Sequence, residues 1–185
     1  TCQVAYSRHA RLAQMIARGV NCPPASSLGR LFDAAAALLG LRGAVAYEGQ
    51  AAIELEQIAA PGEPPYQAAR AGARPGRLDA APLIQAVVED ILQGVTAPQI
   101  AGRFHASVAE LLALACEQAR AASGLQRVAL SGGAFQNRLL TERLLARLER
   151  AGFIVYLNRR VPPNDGGLSL GQLAVAAASI SDLGC

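Results

Sequence analysis

Several features that would define a function class are missing from this sequence. The four cysteines lie far apart and form no CxxC pair, so neither a zinc ribbon nor a disulfide framework is indicated. This use of cysteine favours a reducing, cytoplasmic location. The longest apolar stretches, 31–41 and 170–180, are too short and too interrupted to span a bilayer, and no signal peptide opens the chain. We therefore expect no membrane partner.

Runs of like charge are also missing. The net charge of +3 is carried mostly by scattered arginines, which is not the pattern of a nucleic-acid-binding stripe. A chain of 185 residues, 52% of them hydrophobic, is long enough for one well-buried domain or for one lobe of a larger protein. Because Thr1 is not a methionine and a helical pattern begins almost at once, we interpret 1–185 as a fragment of a longer chain.

Two parts of the chain differ in character. The first part, 1–124, is mainly helical by its apolar spacing, with a loop rich in proline and glycine at 61–77. Helices are predicted over 6–18, 28–39, 47–59, 81–94 and 98–122. The second part, 125–185, contains a predicted β-loop-α-β unit over 127–157, a second loop and a last helix. The pattern predicts an α/β lobe with a parallel sheet edge and helical insertions.

The joint between the first strand and its helix contains Ser131-Gly132-Gly133, followed by Asn137. At the carboxyl end of a parallel strand, two glycines let the backbone come close to a ligand, and the free N–H groups of the next helix favour an anion. This segment, which we call the Gly-Gly loop (131–137), is interpreted as a phosphate or nucleotide loop. The alternative is a plain tight turn.

Two further positions suggest ligand contacts. Asp165 lies in "PPNDGG", called here the Asp loop (162–167), where a carboxylate beside a phosphate could hold a divalent metal. It could also simply cap the last helix. Gly29 lies in the first turn of a predicted helix with Asp33 on the same face, which suggests the close approach of a ligand. A solvated aspartate is the alternative for Asp33.

Four blocks together carry a resemblance to a known family. They are "SSLGRLFDAAAALLGL", "YEGQAAIELE", "SGGAFQNRLLTERL" and "PPNDGGLSLGQ", which spread from residue 26 to residue 172. They resemble the C-terminal part of the HypF carbamoyltransferases, which mature [NiFe]-hydrogenases. The two loops are shared with the family that makes threonylcarbamoyladenosine on tRNA, whereas the second block is particular to the hydrogenase branch. The resemblance implies an actin- and sugar-kinase-like (ribonuclease H-like) fold.

The resemblance also implies a reaction. Another domain of such a protein makes carbamoyl adenylate from carbamoyl phosphate and ATP. The domain that resembles this chain receives the adenylate and passes its carbamoyl group to the C-terminal cysteine of a partner, HypE. The product later becomes a cyanide ligand of the hydrogenase iron.

Nucleotide contacts follow from the same resemblance. Gly132, Gly133 and Asn137 match the family's nucleotide loop, with Ser131 beside them. Gly29 matches a glycine that lies against the adenosine, and Asp33 is a candidate for a ribose contact.

The resemblance also implies which residues contact the metal and the partner. Asp165 matches a ligand of a divalent metal, whether iron, zinc or magnesium, that two histidines four residues apart also hold in the family. Neither His9 nor His105 lies in such a motif, and His105 is expected to be a packed or surface residue. Glu48 and Gln50 are expected to contact the intermediate or the partner, or to be ordinary polar residues at a helix start.

No catalytic residue is assigned, and the chain alone is expected to be inactive. Two other functions remain open. One is a tRNA threonylcarbamoyladenosine-type transferase, which the weak basic patterning argues against. The other is a non-catalytic nucleotide-binding lobe.

Overall fold

The computed structural model describes residues 2–69, 73–74 and 77–182, and the side chains of 10–69 and 78–179. Helices make up most of residues 2–123, and strands and helices alternate only after residue 126. The helices are α1 (Cys2–Arg18), α2 (Leu28–Leu38), α3 (Gln50–Ile58), α4 (Ala81–Leu92), α5 (Ala97–Ser123), α6 (Arg138–Arg150) and α7 (Leu168–Asp182). The strands are β1 (Ala73–Arg74), β2 (Arg77–Leu78), β3 (Arg127–Leu130) and β4 (Ile154–Leu157).

Helix α5 is the central element of the core. It packs most extensively against α6 and also contacts α3 and α4. Apolar residues at helical spacing on α5 and α6 meet in one cluster with the inner face of α2. The fully buried members on α5 and α6 include Ile100, Phe104, Val108, Leu140, Leu144 and Leu148. This core fixes the start of α6, and hence the Gly-Gly loop, relative to α5.

Strands β3 and β4 form a parallel pair, as the β-loop-α-β pattern predicts. The register runs from Arg127 opposite Ile154 to Leu130 opposite Leu157. Both strands therefore end at the same edge, where the two glycine-containing loops begin. The α/β fold class is confirmed by this pair and its covering helices.

Most helix ends agree with the local sequence signals, with three differences from the predicted elements. Helix α1 begins at Cys2, four residues before the predicted start at 6. The helix predicted over 47–59 begins only at Gln50, because Gly49 has φ 79° and turns the chain sharply just before it. The predicted loop 61–77 contains a two-residue antiparallel hairpin, β1–β2. The same segment is anchored to α5, since the N–H of Tyr66 donates to Ser107 Oγ at 2.7 Å.

Within the described residues, no helix combines the length and the apolar character that a bilayer crossing requires.

Candidate functional site

The Gly-Gly loop and the Asp loop lie against each other. The backbone N–H of Gly132 donates to the carbonyl oxygen of Pro163 at 2.7 Å. Glycine is required at position 132, where φ is 105° and ψ is 157°. It is also required at position 167, because a Cβ there would lie 2.8 Å from the carbonyl oxygen of Pro162. Gly132 thus serves the contact between the two loops, and Gly167 serves the tight fold of the Asp loop itself.

An open cleft of about 870 Å³ runs between these loops and the first turns of α7. Ser131 and Gly132 line one side, and Asn164 and Asp165 line the other. Asp165 is exposed, and its carboxylate has no hydrogen bond or ion pair within the described part of the chain. The capping role is filled by Asn164, whose Oδ1 accepts from the N–H of Gly166 at 3.1 Å. The carboxylate of Asp165 is therefore left facing solvent in a cleft.

The start of α6 is not a free anion site, and that expectation was wrong. The N–H of Leu139 donates to Glu56 Oε1 at 2.9 Å, and the N–H of Leu140 donates to Asn137 Oδ1 at 2.8 Å. Both groups are therefore satisfied internally, and the Glu56 carboxylate repels an incoming anion. The short 3-10 helix Gly133–Gln136 comes before α6, and the N–H groups of Gly133 and Ala134 have no hydrogen-bond acceptor among the described residues.

Asn137 is held from inside the protein. Its Nδ2 lies 3.0 Å from Nε2 of His105, while its Oδ1 caps α6. His105 is completely buried on α5, and its ring meets Phe32 edge to face at 5.2 Å between centroids. The expectation that His105 is packed is confirmed. Burial lowers the pKa of His105 below its ordinary value, because the charged ring would lose its hydration.

Gly29 and Asp33 lie on α2, which contacts the 3-10 helix Gly133–Gln136 of the Gly-Gly loop. Neither residue lines the cleft itself. Gly29 is exposed, and a Cβ there would meet only Ser27 Oγ at 3.6 Å, an ordinary contact. The fold therefore does not itself require glycine at 29. Asp33 is half-buried and lies 3.6 Å from Arg30.

Glu48 and Gln50 occupy different settings. Glu48 is exposed, whereas Gln50 is 8% exposed. The Gln50 Oε1 accepts from the N–H of Ala46 at 2.8 Å, and its Nε2 donates to Glu54 at 3.1 Å. Both ends of the Gln50 amide thus serve to shape the turn before α3, while Glu48 keeps its carboxylate at the surface.

Within the described residues, no three metal-ligating side chains from His, Cys, Asp and Glu come together. The side chain of His9 lies outside the described set, and His105 is turned into the core. A lone exposed carboxylate does not make a metal centre, so the residues described here do not by themselves fit the expected divalent ion.

Sequence reasoning missed two residues that shape the site. Glu56 caps α6 from 83 positions earlier in the chain, and His105 orients Asn137 from 32 positions earlier. For Glu56 no local signal exists, since a glutamate on an amphipathic helix is normally a solvated residue. For His105 the signal was its apolar surroundings on α5, which predict burial and hence a hydrogen-bonded ring.

Comparisons with known proteins agree with this architecture. A family model described as "Carbamoyltransferase, Kae1-like Domain, second subdomain" matches residues 1–172. The chain is 36% identical over 191 residues to the carbamoyltransferase HypF2 of Cupriavidus necator, covering 88% of this chain and 23% of that protein. It is 40% identical over 168 residues to the carbamoyltransferase HypF of Rhodobacter capsulatus, covering 90% of this chain and 22% of that protein.

Solved structures show the same likeness. A full-length HypF crystallised in a phosphate- and nucleotide-bound form has a TM-score of 0.83 and 39% identity, over 92% of this chain and 23% of that one. The HypF of T. kodakarensis has a TM-score of 0.82 and 26% identity, over 95% of this chain and 23% of that one. The chain thus spans less than a quarter of the length of these four relatives. By its sequence, its fold and its paired loops, the chain belongs to the HypF carbamoyltransferase family.

Proposed function

We propose that this chain forms part of a carbamoyltransferase that binds carbamoyl adenylate and passes its carbamoyl group to the C-terminal cysteine of HypE in the cytoplasm. Carbamoyl phosphate and ATP would supply the adenylate elsewhere in the full protein, and the product would serve cyanide-ligand synthesis for [NiFe]-hydrogenase. The observation that carries the proposal is the Gly132–Pro163 hydrogen bond, which joins two glycine-containing loops into one cleft at the strand ends.

The reaction is acyl transfer from a mixed anhydride to a thiolate. The sulfur attacks the carbamoyl carbon, a C–S bond forms, and the bond from that carbon to the phosphate oxygen breaks, releasing AMP. Negative charge then accumulates on the phosphate. A protein accelerates this step by holding the adenylate in place and by directing hydrogen-bond donors at the oxygens that gain charge.

The Gly-Gly loop has the right groups for the phosphate. The N–H groups of Gly133 and Ala134 stand at the start of a short helix beside the cleft and have no acceptor in the described structure. Backbone N–H groups at such a joint suit a phosphate oxygen. A side chain at 133 is not excluded by the fold, because a Cβ would come no closer than 3.9 Å to Asn164. Gly133 thus leaves open space where a ligand would lie.

Gly29 and Asp33 would serve the nucleoside. They lie on α2, which contacts the 3-10 helix of the Gly-Gly loop, and the fold gives no steric reason for glycine at 29. An adenine or ribose lying across an exposed glycine would supply that reason. Glu48, exposed at the turn before α3, remains our candidate for a contact with the intermediate or the partner, and Gln50 would support that turn.

A divalent metal is a further part of the proposal. Asp165 would supply one oxygen ligand from the cleft wall, and the other ligands would come from outside the described residues. Whether iron, zinc or magnesium is bound would be read from metal analysis of the purified protein beside its Asp165→Ala variant.

The test is a transfer assay with the full-length product of the gene. ATP, carbamoyl phosphate and HypE are incubated with the enzyme, and mass spectrometry measures the addition of a carbamoyl group to the HypE C-terminal cysteine. Gly133→Val should abolish transfer, since the new side chain fills the space next to the loop N–H groups. Gly43→Val is the matched control, because Gly43 has nothing within 4 Å and lies in a different loop.

Three results would contradict the proposal. Transfer that Gly133→Val leaves intact would show that the nucleotide does not bind at this loop. Modification of tRNA in place of HypE by the same preparation would assign the chain to the tRNA-modifying branch. AMP binding without transfer to either acceptor would favour a non-catalytic nucleotide-binding lobe.

A further inference from the structure

A continuous chain of hydrogen bonds runs from the middle of α5 to the start of α6 through two side chains. His105 Nδ1 lies 2.7 Å from the carbonyl oxygen of Ala101, which can only accept, so Nδ1 carries the proton. In the neutral ring Nε2 is then an acceptor, and it lies 3.0 Å from Nδ2 of Asn137, which donates to it. The tautomer of His105 is thus set by the backbone of its own helix.

The amide of Asn137 is fixed from both ends. Its Oδ1 accepts from the N–H of Leu140 at 2.8 Å, and its Nδ2 donates to His105. Rotating the amide by half a turn would set oxygen against the Nε2 lone pair of His105 and NH₂ against the N–H of Leu140. Both hydrogen bonds would be replaced by repulsion, at a partly buried position.

We propose that His105 is a positioning residue, which through Asn137 holds the Gly-Gly loop in the conformation that accepts the nucleotide. The inference rests on the proposed function in so far as that loop binds a nucleotide. Asn137 is the last residue of the loop, and its side chain caps α6, so a rotation of that side chain breaks the cap at the point where the loop joins the helix. The second hydrogen on Nδ2 of Asn137 remains for a ligand or for water.

Packing alone does not explain an imidazole at this position. The ring meets Phe32 at 5.2 Å and Phe104 at 6.1 Å between centroids, contacts that an apolar side chain of similar size could also make. A buried polar ring costs free energy unless both nitrogens are hydrogen-bonded, and here both are. The feature that the neutral imidazole supplies and an apolar side chain of similar size cannot is an acceptor facing Asn137.

Two charged side chains act electrostatically on the His105 ring. They are Glu56 of α3 and Arg143 of α6, whose electrostatic effects on His105 oppose each other. Glu56 is held by the N–H of Leu139, and Arg143 donates to the carbonyl oxygen of Glu63 at 2.8 Å. Neither forms an ion pair with the ring, so desolvation keeps His105 neutral. Protonation would give Nε2 a hydrogen that opposes the N–H of Asn137.

Two substitutions separate positioning from packing. In His105→Gln the side-chain oxygen can reach the place of Nε2 and accept from Asn137. In His105→Asn the shorter amide reaches only the place of Nδ1, so the acceptor is lost while a polar group remains. Each variant is made in the full-length product of the gene, and the dissociation constant of AMP is measured by calorimetry beside the unfolding temperature.

We expect His105→Asn to weaken AMP binding by about tenfold or more, the equivalent of one lost hydrogen bond in a buried network. His105→Gln should retain affinity close to that of the wild type. Equal affinities in both variants, with only the unfolding temperature lowered, would overturn the inference and leave His105 a structural residue.

A second measurement, which needs no ligand, tests the inference if His105→Asn fails to fold or if the protein does not bind AMP. Nitrogen-15 NMR of labelled histidine reports the ring tautomer, and subtraction of the His105→Gln spectrum assigns the signal. The Nδ1–H tautomer together with a side-chain amide proton of Asn137 protected from exchange supports positioning. The Nε2–H tautomer or an unprotected amide overturns it. Absence of AMP binding by the wild type counts against the proposed function alone.

Discussion

The N–H of Gly132 donates to the carbonyl oxygen of Pro163 at 2.7 Å, which ties the Gly-Gly loop to the Asp loop beside the cleft. Gly132 reaches this carbonyl only by adopting φ 105° and ψ 157°, a conformation that residues with a Cβ almost never adopt. The hydrogen bond therefore depends on glycine at this position, and the neighbouring Gly133 provides a comparison without that constraint.

Gly132→Ala should lower both stability and AMP affinity. The strained backbone costs about 1–3 kcal/mol, or the loop relaxes and the bond to Pro163 is lost. Gly133→Ala is the matched control for stability alone, since Gly133 has no positive φ and its Cβ would lie 3.9 Å from the nearest atom. Urea unfolding followed by circular dichroism measures the change. Equal midpoints for the two variants would show that the Gly132 conformation is not required.

Gly29→Ala should separate binding from stability. Position 29 is in the first turn of α2 and has room for a methyl group, so alanine should leave the free energy of unfolding unchanged or raise it by up to about 1 kcal/mol. If the adenosine lies against Gly29, the same methyl group should weaken AMP binding severalfold. Calorimetric titration and thermal unfolding of one preparation give both values. A more stable variant with unchanged AMP affinity would remove Gly29 from the site.

Gly102→Ala should be strongly destabilising, although it lies in the middle of a helix where alanine is normally favourable. A Cβ at 102 would lie 2.4 Å from the carbonyl oxygen of Ala60 and 2.9 Å from Glu63 Cγ. The segment after α3 would have to move away from α5, at a cost of about 1–3 kcal/mol, and the bond from the N–H of Ala60 to the Pro98 carbonyl would be broken. Differential scanning calorimetry should record a clear fall in the unfolding temperature, whereas a rise would mean that this segment packs differently.

The elements that could be predicted from the sequence depend on local signals. Asn137 ahead of an apolar-periodic run marks the start of α6, and "RVALS" and "FIVYL" mark the two parallel strands. The closeness of the Gly-Gly and Asp loops could also be predicted, because parallel strands end at the same edge of a sheet. The contacts that complete the site were beyond local signals. Gly102 faces Ala60, Glu56 caps α6 and His105 holds Asn137 only because long-range packing brings these positions together.

Arg147 on α6 should contribute more stability than its neighbour Arg138 on the same helix. Arg147 donates to Glu110 at 2.8 Å and lies 2.9 Å from Glu117, and the side chains of Arg147 and Glu110 are only 23% and 10% exposed. Arg147→Met removes the guanidinium that contacts the largely buried Glu110 carboxylate and should cost about 2–3 kcal/mol. In Arg138→Met, an exposed pair with Glu142 is lost, for about 0.5 kcal/mol or less. Chemical denaturation gives the free energy of unfolding of both variants. A larger loss in Arg138→Met than in Arg147→Met would contradict the prediction.

Acidification should destabilise the protein through His105. Burial lowers the folded-state pKa of His105 below the ordinary value of 6.5, so in mildly acidic solution the unfolded chain binds a proton that the folded chain does not. The contribution is complete above pH 6.5 and declines as the pH falls from there through the lowered, folded-state pKa. His105→Gln has no titrating group at this position and should lack this component of the pH profile. The free energy of unfolding is measured in urea at a series of pH values from 7.5 downwards for wild type and variant. If the two profiles run parallel below pH 6.5, protonation of His105 is not linked to unfolding, and the buried, neutral imidazole inferred from its contacts with Ala101 and Asn137 is wrong.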